Sequence, residues 1–362
     1  MSMFYELMMK KKTQVMYATI KGTLTENDGV FSGFSSSNYL ALQENLTFSQ
    51  KTEITLCLTM PSSSLTQINT FLMFGTNYIY IATNRKISAQ LRKSGSNHWL
   101  DGATALTLGE KYWIKIINDV ANNTFELLIS TDGINYTREL YSDTYILSED
   151  LGTSNIGART TTYFTGSISL PNSYIKLGST KYNLQAVVGY TIVGSPTIVD
   201  GVVSGFNNSN YLKIDNAIIL SQADDWEIKI KIGTNTGSYI LGSNLQNIIT
   251  CSIGTSSLYL SSNGSSWDIA SGVGLSSRIP ENSYLRLRFT GTHYILDYST
   301  DNVTWTTCAD VTSSSKLSSS LSYLRIGNWG GGGDTTLFTG TIDLKETYIK
   351  INNKLWFNGQ QG

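Results

Sequence analysis

Charge is scarce in this chain of 362 residues, of which Asp, Glu, Lys and Arg make up only 15%. Typical globular domains carry about 25%. The net charge is -1, and no cluster of Lys and Arg follows residue 12. Nucleic-acid binding depends on phosphate neutralisation by such clusters. The composition therefore argues against a nucleic-acid partner.

Cysteine, proline and long apolar runs are also rare. The three cysteines, Cys57, Cys251 and Cys308, show no C-x-x-C spacing. Cys251 and Cys308 could pair, but a structural disulfide or zinc framework would recur in both halves of the repeat described below, so we expect isolated thiols. The 4 prolines leave strands free to pair. No run reaches the roughly 18 apolar residues of a membrane helix, so we expect no membrane insertion.

Residues suited to catalysis are few and do not recur. His98 and His293 stand at unmatched positions of the two halves, and Glu126 and Asp297 are single acids on predicted strands. A retaining glycosidase needs two carboxylates about 5–5.5 Å apart, and a histidine-based hydrolytic or metal site needs partners that the sequence does not show. We therefore expect no catalysis, no metal and no cofactor. A degenerate glycosidase is the low-ranked alternative.

The chain does contain an internal sequence duplication. Residues 29–40, GVFSGFSSSNYL, return at 201–212 as GVVSGFNNSNYL, and FTGSISL at 164–170 returns at 338–344 as FTGTIDL. The offset between matched motifs drifts between 169 and 174 residues, far above the roughly 20–50 residues of a solenoid repeat. We predict two domains, 15–185 and 186–362, each large enough to bury its own core.

Period-two alternation runs through both halves. Residues 226–232, WEIKIKI, place three isoleucines on one face and three charged residues on the other, as antiparallel sheets with one buried face require. Asp132-Gly133, matched by Asp301-Asn302, predicts a two-residue type I′ hairpin. Short strands, polar turns and the lack of helical periodicity predict an all-β fold: two tandem antiparallel β-sandwich domains of the jelly-roll kind.

The ordered motifs resemble those of a known fold family. Gly-Phe-x-x-Ser-Asn-Tyr-Leu, an amphipathic strand, Ser-Thr-Asp-Gly-x-x-Tyr/Trp, Ile-Gly and Phe-x-Gly-x-Ile-x-Leu resemble concanavalin A-like and laminin G-like jelly-roll domains. The resemblance spans both halves and implies sandwiches that often present glycans or proteins on a loop-rimmed concave face. Calcium sites are common in laminin G-like domains, so the resemblance also suggests one here. The aspartates that recur in both halves stand beside turn glycine or asparagine, however, and turn capping explains them. Duplicated copies behind a short N-terminal segment also resemble bacteriophage tail-fibre, baseplate or capsid-decoration proteins.

Two tryptophan-bearing segments are candidate sugar sites, because sugar binding uses an aromatic face with polar groups beside it. His98, Trp99 and Asp101 in the first half roughly match Trp267 and Asp268 in the second. Recurrence fits duplicated sites. It fits a shared core aromatic better, since duplication preserves packing, and a solvated loop position is the expectation for His98.

A third candidate is confined to the second half. Asn328 and Trp329 precede four glycines and Asp334, in a segment four residues longer than its counterpart in the first half. Glycine frees the backbone from steric limits. Trp329 is therefore either a contact residue at a loop tip or a ring folded back over the edge of the sandwich.

The N-terminal residues 1–14 differ from the rest of the chain. An apolar patch precedes three lysines and is formed by Phe4, Tyr5, Leu7, Met8 and Met9. The order of these features does not fit a signal peptide. We expect a docking segment, with a frayed terminus or an edge strand as the alternative.

The leading hypothesis is a non-enzymatic virion structural protein, a bacteriophage tail fibre or capsid decoration, made in the host cytoplasm and exposed on the particle surface. Its expected partners are other virion proteins, with host-surface glycans and further copies of the chain as candidates. The alternative is a stand-alone bacterial carbohydrate-binding or adhesin module.

Overall fold

The computed structural model describes residues 14–42, 46, 48, 50–148, 152–234, 239–245, 249–329 and 338–359. Across these residues it has thirty strands and one short helix, α1 (Ile218–Gln222). The chain divides into two compact units between Ala186 and Val187. None of the described helices is long and apolar enough to cross a membrane. The proposed docking residues Phe4, Tyr5, Leu7, Met8 and Met9 lie outside the described residues.

The first fifteen strands are β1 (Gln14–Lys21), β2 (Thr25–Asn27), β3 (Val30–Ser32), β4 (Tyr39–Leu42), β5 (Thr52–Thr59), β6 (Asn69–Phe74), β7 (Asn77–Ile81), β8 (Lys86–Lys93), β9 (Ser96–Ala105), β10 (Lys111–Asp119), β11 (Thr124–Ser130), β12 (Thr137–Ser142), β13 (Ser154–Ile156), β14 (Ser167–Leu177) and β15 (Thr180–Val188).

The remaining strands are β16 (Thr191–Val193), β17 (Thr197–Val199), β18 (Val202–Ser204), β19 (Tyr211–Asp215), β20 (Trp226–Ile232), β21 (Tyr239–Ser243), β22 (Ile249–Ser252), β23 (Ser257–Leu260), β24 (Ala270–Gly274), β25 (Tyr284–Phe289), β26 (His293–Ser299), β27 (Thr306–Thr312), β28 (Tyr323–Ile326), β29 (Ile342–Ile351) and β30 (Lys354–Asn358).

Across the described residues each unit contains two antiparallel layers of seven strands, and an eighth strand is added to the second layer. In the first unit, sheet A has the order β1-β4-β13-β6-β7-β8-β9. Sheet B has the order β2-β3-β14-β5-β10-β11-β12, and β15 pairs with the second half of β14. Neighbouring strands are often far apart in sequence, as in the jelly-roll folds that the sequence predicted.

The second unit repeats this topology strand by strand. Its sheet A has the order β16-β19-β28-β21-β22-β23-β24. Its sheet B has the order β17-β18-β29-β20-β25-β26-β27, with β30 on β29. Every strand has its counterpart fifteen places earlier in the chain. The predicted fold class, two tandem antiparallel β-sandwiches, is confirmed.

The cores are built from the apolar sides of the alternating strands. Ile54, Leu56 and Leu58 on β5 are each at most 1% exposed, because successive side chains of a strand point to opposite faces. In the second unit Trp226 is 1% exposed and lies 6.2 Å from the ring of Phe289.

The repeated Gly-Phe and Ile-Gly motifs meet in space. Gly327 has a φ of +86°, and a Cβ there would lie 2.0 Å from the ring of Phe206. Gly157 and Phe34 repeat the contact in the first unit, at 2.1 Å. Only glycine combines this backbone conformation with so close an approach. These motifs therefore hold the fold together.

The Asp132-Gly133 turn differs from its prediction. Six residues separate β11 from β12, and of the pair only Gly133 has a positive φ, at +74°. Asp132 Oδ1 accepts hydrogen bonds from the backbone N–H groups of Ile134 and Asn135, each at 2.8 Å. These bonds hold the pKa of the Asp132 carboxyl below its usual range. A side-chain acceptor thus organises a wide loop in place of a two-residue turn.

The type I′ geometry occurs instead at Asp28-Gly29, between β2 and β3. Both residues have positive φ, at 49° and 75°, and Asn27 pairs directly with Val30. The second unit repeats it at Asp200. The three cysteines are free, as predicted, and all three are buried.

Candidate functional site

Four aromatic side chains of the second unit form a row on its sheet A. The ring centroids of Trp329 and Tyr239 are 5.1 Å apart, those of Tyr239 and Tyr259 6.4 Å, and those of Tyr259 and Trp267 5.5 Å. All four side chains are half-buried. Two tryptophans that the sequence offered as separate candidates thus lie at opposite ends of one aromatic row.

Strand geometry places the row on the outer face of the sheet. Tyr259 on β23 stands between Leu258 and Leu260, which are both 0% exposed. Because side chains alternate along a strand, Tyr259 points away from the core. Tyr239 is the first residue of β21, and Trp267 lies in the loop between β23 and β24.

The loop that carries Trp267 is stabilised by its own polar side chains. Asp268 accepts hydrogen bonds from Ser261 Oγ at 2.9 Å and from the backbone N–H of Ser262 at 3.0 Å. Asp268, a predicted sugar contact, therefore serves to shape the loop. Asn263 Oδ1 accepts from the N–H groups of the two serines that follow Gly264.

Trp329 is held against the sheet from its backbone. Asn328 is 1% exposed, and its Nδ2 donates to the carbonyl oxygens of Asn207 and Asn208 at 3.0 and 3.2 Å. A Cβ at Gly242 would lie 2.2 Å from the Trp329 carbonyl oxygen, so the chain crosses directly over this glycine of β21. Of the two alternatives given for Trp329, a ring folded back over the sandwich is the one that the structure has. Asn328 anchors this segment to the loop of Asn207 and Asn208.

Asp334 lies outside the described residues. Its assignment as a ligand contact stays a prediction.

In the first unit, strand alternation separates the candidates. Trp99 on β9 is 59% exposed and Asp101, two residues on, accepts a hydrogen bond from Ser88 Oγ at 2.7 Å. His98 directly precedes Trp99 and faces the other side, where the centroid of its ring lies 4.0 Å from that of Tyr145 in a stacked arrangement. His98 is therefore on a strand and engaged by an aromatic ring, whereas a solvated loop position was expected.

The expectation of a shared core aromatic was wrong for both tryptophans. Trp99 is exposed and Trp267 is half-buried. Their backbone positions also differ, because Trp99 pairs with Gln90, whereas Tyr259, the counterpart of Gln90, pairs with Ser271. The β23–β24 connection is longer than that between β8 and β9, so residues that look equivalent in sequence occupy different positions in the two structures.

One position does match across the units. Trp329 is the third residue after β28, and Arg159 is the third residue after β13. The guanidinium of Arg159 lies 4.1 Å from the ring centroid of Tyr78, just as the Trp329 ring covers Tyr239. The same backbone position thus brings a flat cation to the sheet in one unit and an aromatic ring in the other.

Sequence reasoning missed the two tyrosines of the row. The alternation Leu258-Tyr259-Leu260 could have placed Tyr259 on the outer face. Nothing in the sequence brings Tyr239 next to Trp329, since that contact depends on the pairing of β21 with β28.

No family model matches this sequence, and none of the curated proteins matches it. Several solved structures are similar to it in fold. Domains LG4-5 of the mouse laminin α1 chain share 10% identity, with 94% of this chain and 93% of that one covered and a TM-score of 0.31. The enzymatically active domain of bacteriophage CBA120 tailspike protein 2 shares 15% identity over 48% of this chain and 31% of that one, with a TM-score of 0.39.

A third similar structure is domain 4 of AbnA, a GH43 extracellular arabinanase from Geobacillus stearothermophilus, in complex with arabinotriose. It shares 16% identity over 44% of this chain and 81% of that one, with a TM-score of 0.33. These similarities concern the fold, and the proposals below rest on the residues of this chain.

Proposed function

We propose that this protein is a non-enzymatic glycan-binding protein whose second unit recognises sugar rings on the aromatic row. The observation that carries the proposal is the run of four half-buried rings, Trp329, Tyr239, Tyr259 and Trp267, with centroids 5.1–6.4 Å apart. The C–H face of a sugar packs on such rings, while its hydroxyl groups need hydrogen-bonding partners at the edge.

Polar partners flank the row. The loop beside Trp267 is rich in serine and asparagine. On β28, Arg325 lies over the ring of Tyr211 at 4.6 Å and donates from Nη2 to the hydroxyl of Tyr323 at 3.1 Å. Arg325 pairs with Gly242, over which the Trp329 backbone passes. A hydroxyl-rich ligand would thus find donors at both ends of the row.

We assign no bond-breaking step to this face. Asp268, the carboxylate next to Trp267 in sequence, is engaged by Ser261 and Ser262. A glycosidase would instead need a pair of carboxylates on either side of the scissile bond. Recognition without turnover is the simplest chemistry for aromatic rings, amides and hydroxyl groups.

A glycan array probed with the full chain tests this function. We expect binding to a defined group of oligosaccharides and no shortening of the bound glycan on prolonged incubation. If no glycan is retained, or if a retained glycan is hydrolysed, the proposed function is wrong.

We propose further that the chain is a virion protein, exposed on the particle surface and attached through residues 1–14. Five of the seven methionines lie in the first 16 residues, and the apolar patch stands next to Lys10, Lys11 and Lys12, a composition suited to an interface core and its rim. Mass spectrometry of purified particles should detect the chain, and deletion of residues 1–14 should abolish its incorporation. A chain found free in culture supernatant would favour the bacterial adhesin alternative.

A further inference from the structure

The first unit has a cavity of about 190 Å³ on the outer face of its sheet B. Aromatic and amide side chains form its wall, among them Trp113, Tyr136, Tyr174 and Asn183. Thr55 is 1% exposed and also lines the cavity. Its hydroxyl is within reach of those of Tyr136 and Tyr174, but the geometry is too poor for a full hydrogen bond. A buried hydroxyl that is incompletely satisfied in this way is unusual in folded proteins.

The duplicated unit shows what fills this space elsewhere. Thr55 pairs with Lys115 and Tyr174, and Lys229 pairs with Arg286 and Tyr348. Thr55 and Lys229 are therefore equivalent positions on β5 and β20.

The side chain of Lys229 is 6% exposed. Its Nζ lies 4.6 Å from the ring centroid of Tyr348 and 5.0 Å from that of Tyr284, and it donates to Asn302 Oδ1 at 3.3 Å. The counterparts of these three residues, Tyr174, Trp113 and Gly133, line the cavity of the first unit. The cavity is thus the space that a lysine side chain occupies in the copy.

Charge decides what kind of ligand the cavity can take. In the second unit Asp297 is 1% exposed and accepts hydrogen bonds from Arg286 and Arg288. Burial lowers the pKa of Lys229, and the carboxylates of Glu346 and Glu227 oppose that shift. The first unit has Leu128 where the second has Asp297, and Asn172 where it has Glu346.

Two acids remain near the cavity, Glu53 and Asp132, and both already accept hydrogen bonds. Glu53 accepts a hydrogen bond from the Tyr174 hydroxyl and lies 3.6 Å from Lys115 Nζ. The Nζ of Lys181 lies 4.0 Å from the ring centroid of Tyr174. A cation entering the cavity would therefore meet lysines without counterparts of Asp297 and Glu346, so a neutral ligand is favoured.

We infer that this cavity is a second binding site, selective for one neutral hydroxylated ring such as a terminal hexose. Trp113 and the tyrosines supply apolar ring faces, while Thr55, Asn172 and Asn183 supply hydroxyl and amide groups for hydrogen bonds. The site lies in the first unit and does not need the aromatic row of the second, so either site can fail alone.

The copy also supplies the test variant. Thr55→Lys places in the cavity the side chain that the second unit carries there, and Thr55→Val keeps the volume while removing the hydroxyl. Binding is measured by protein-observed NMR titration of the full chain with glucose, galactose, mannose and N-acetylglucosamine. The n-butylammonium ion serves as the cationic probe.

We expect at least one sugar to bind with a Kd of roughly millimolar order, with shifts at Trp113 and Tyr174. Thr55→Lys should weaken this binding at least about tenfold and Thr55→Val severalfold, while Trp329→Ala should leave it unchanged. Four results would overturn the inference. They are no shift at Trp113 or Tyr174 with any of the four sugars, binding at these residues that survives both Thr55 variants, tighter binding of n-butylammonium than of every sugar, and loss of binding on Trp329→Ala alone, which would assign the binding to the row.

Discussion

Removing Trp329 separates its contribution to binding from its contribution to folding. Its ring lies 5.1 Å from Tyr239 with an interplanar angle of 32°, and it is half-buried on the outer face of the sheet. Trp329→Ala therefore removes one aromatic contact without opening a core cavity. Such a pair contributes about 0.5–1.5 kcal/mol beyond its buried area, so the free energy of unfolding should fall by about 1–2 kcal/mol.

Trp267→Ala should behave in the same way. As a core residue it would cost about 3–5 kcal/mol, but its ring is half-buried in a loop and packs on Tyr259 at 5.5 Å. Two tyrosines stand between the tryptophans in the row, so the stability losses of the double variant should add. Each substitution should weaken binding of a glycan that covers its end by about tenfold, or about 1.4 kcal/mol.

The assay is isothermal titration with the best glycan from the array and with a shortened version of it, alongside urea unfolding. The longer glycan should lose about a hundredfold in the double variant, whereas the shorter one should respond to a single tryptophan. Trp99→Ala is the matched control, since Trp99 is 59% exposed in the other unit, and it should change neither quantity. Unchanged affinity in the double variant would refute the row, and a loss near 4 kcal/mol for either single variant would make that ring a core residue.

Three further substitutions test interactions that stabilise the fold of the two units. Asp297 accepts from two guanidinium groups that are 20% and 33% exposed, so Asp297→Asn should reduce the free energy of unfolding in urea by about 1–3 kcal/mol; a loss below about 0.5 kcal/mol would contradict this. Gly327→Ala, with its Cβ 2.0 Å from Phe206 at a φ of +86°, should reduce it by about 2–5 kcal/mol, and clearly less harm is expected at Gly95, where nothing lies within 4 Å. The pKa of Asp132 is lower in the folded protein than in the unfolded chain, so its carboxylate stabilises the fold above the unfolded pKa of about 3.9, and this stabilisation is lost as the pH falls below that value. Asp132→Asn should therefore flatten the fall in Tm between about pH 5 and pH 3. An unchanged pH profile would contradict a stabilising role for the hydrogen bonds that Asp132 accepts in its loop.

The fold was predictable because its signals are local and repeated. Alternation on β20 placed Ile228 and Ile230 inside, and both are buried. The same alternation placed Lys229 on the polar face, which is correct, yet Lys229 is buried there under tyrosine rings. Period-two patterns thus predict which face a side chain takes, but not whether that face is covered.

The candidate site was only partly predictable, because its contacts join segments far apart in the chain. Trp329 and Trp267 were identified from composition, but their shared row depends on how β21, β23 and β28 pair. The similar segments around Trp99 and Trp267 suggested equivalent positions for the same reason. Strand register, and not sequence similarity, determines which residues are equivalent within a sheet. The turn at Asp132 was mispredicted because a carboxylate can satisfy N–H groups that a two-residue turn would give to the opposite strand.

Comparison of the two units separates residues that build the fold from those that suit a ligand. The repeated asparagines do the same structural work: Asn38 Oδ1 accepts from the N–H of Thr23, and Asn210 Oδ1 accepts from that of Ser195. The chemistry changes where the copies disagree. Position 159 brings a guanidinium to the sheet where position 329 brings an indole, and position 55 leaves a cavity where position 229 fills it with a lysine. Since shared packing already explains the shared residues, the differing positions are where distinct binding specificities of the two units should be sought.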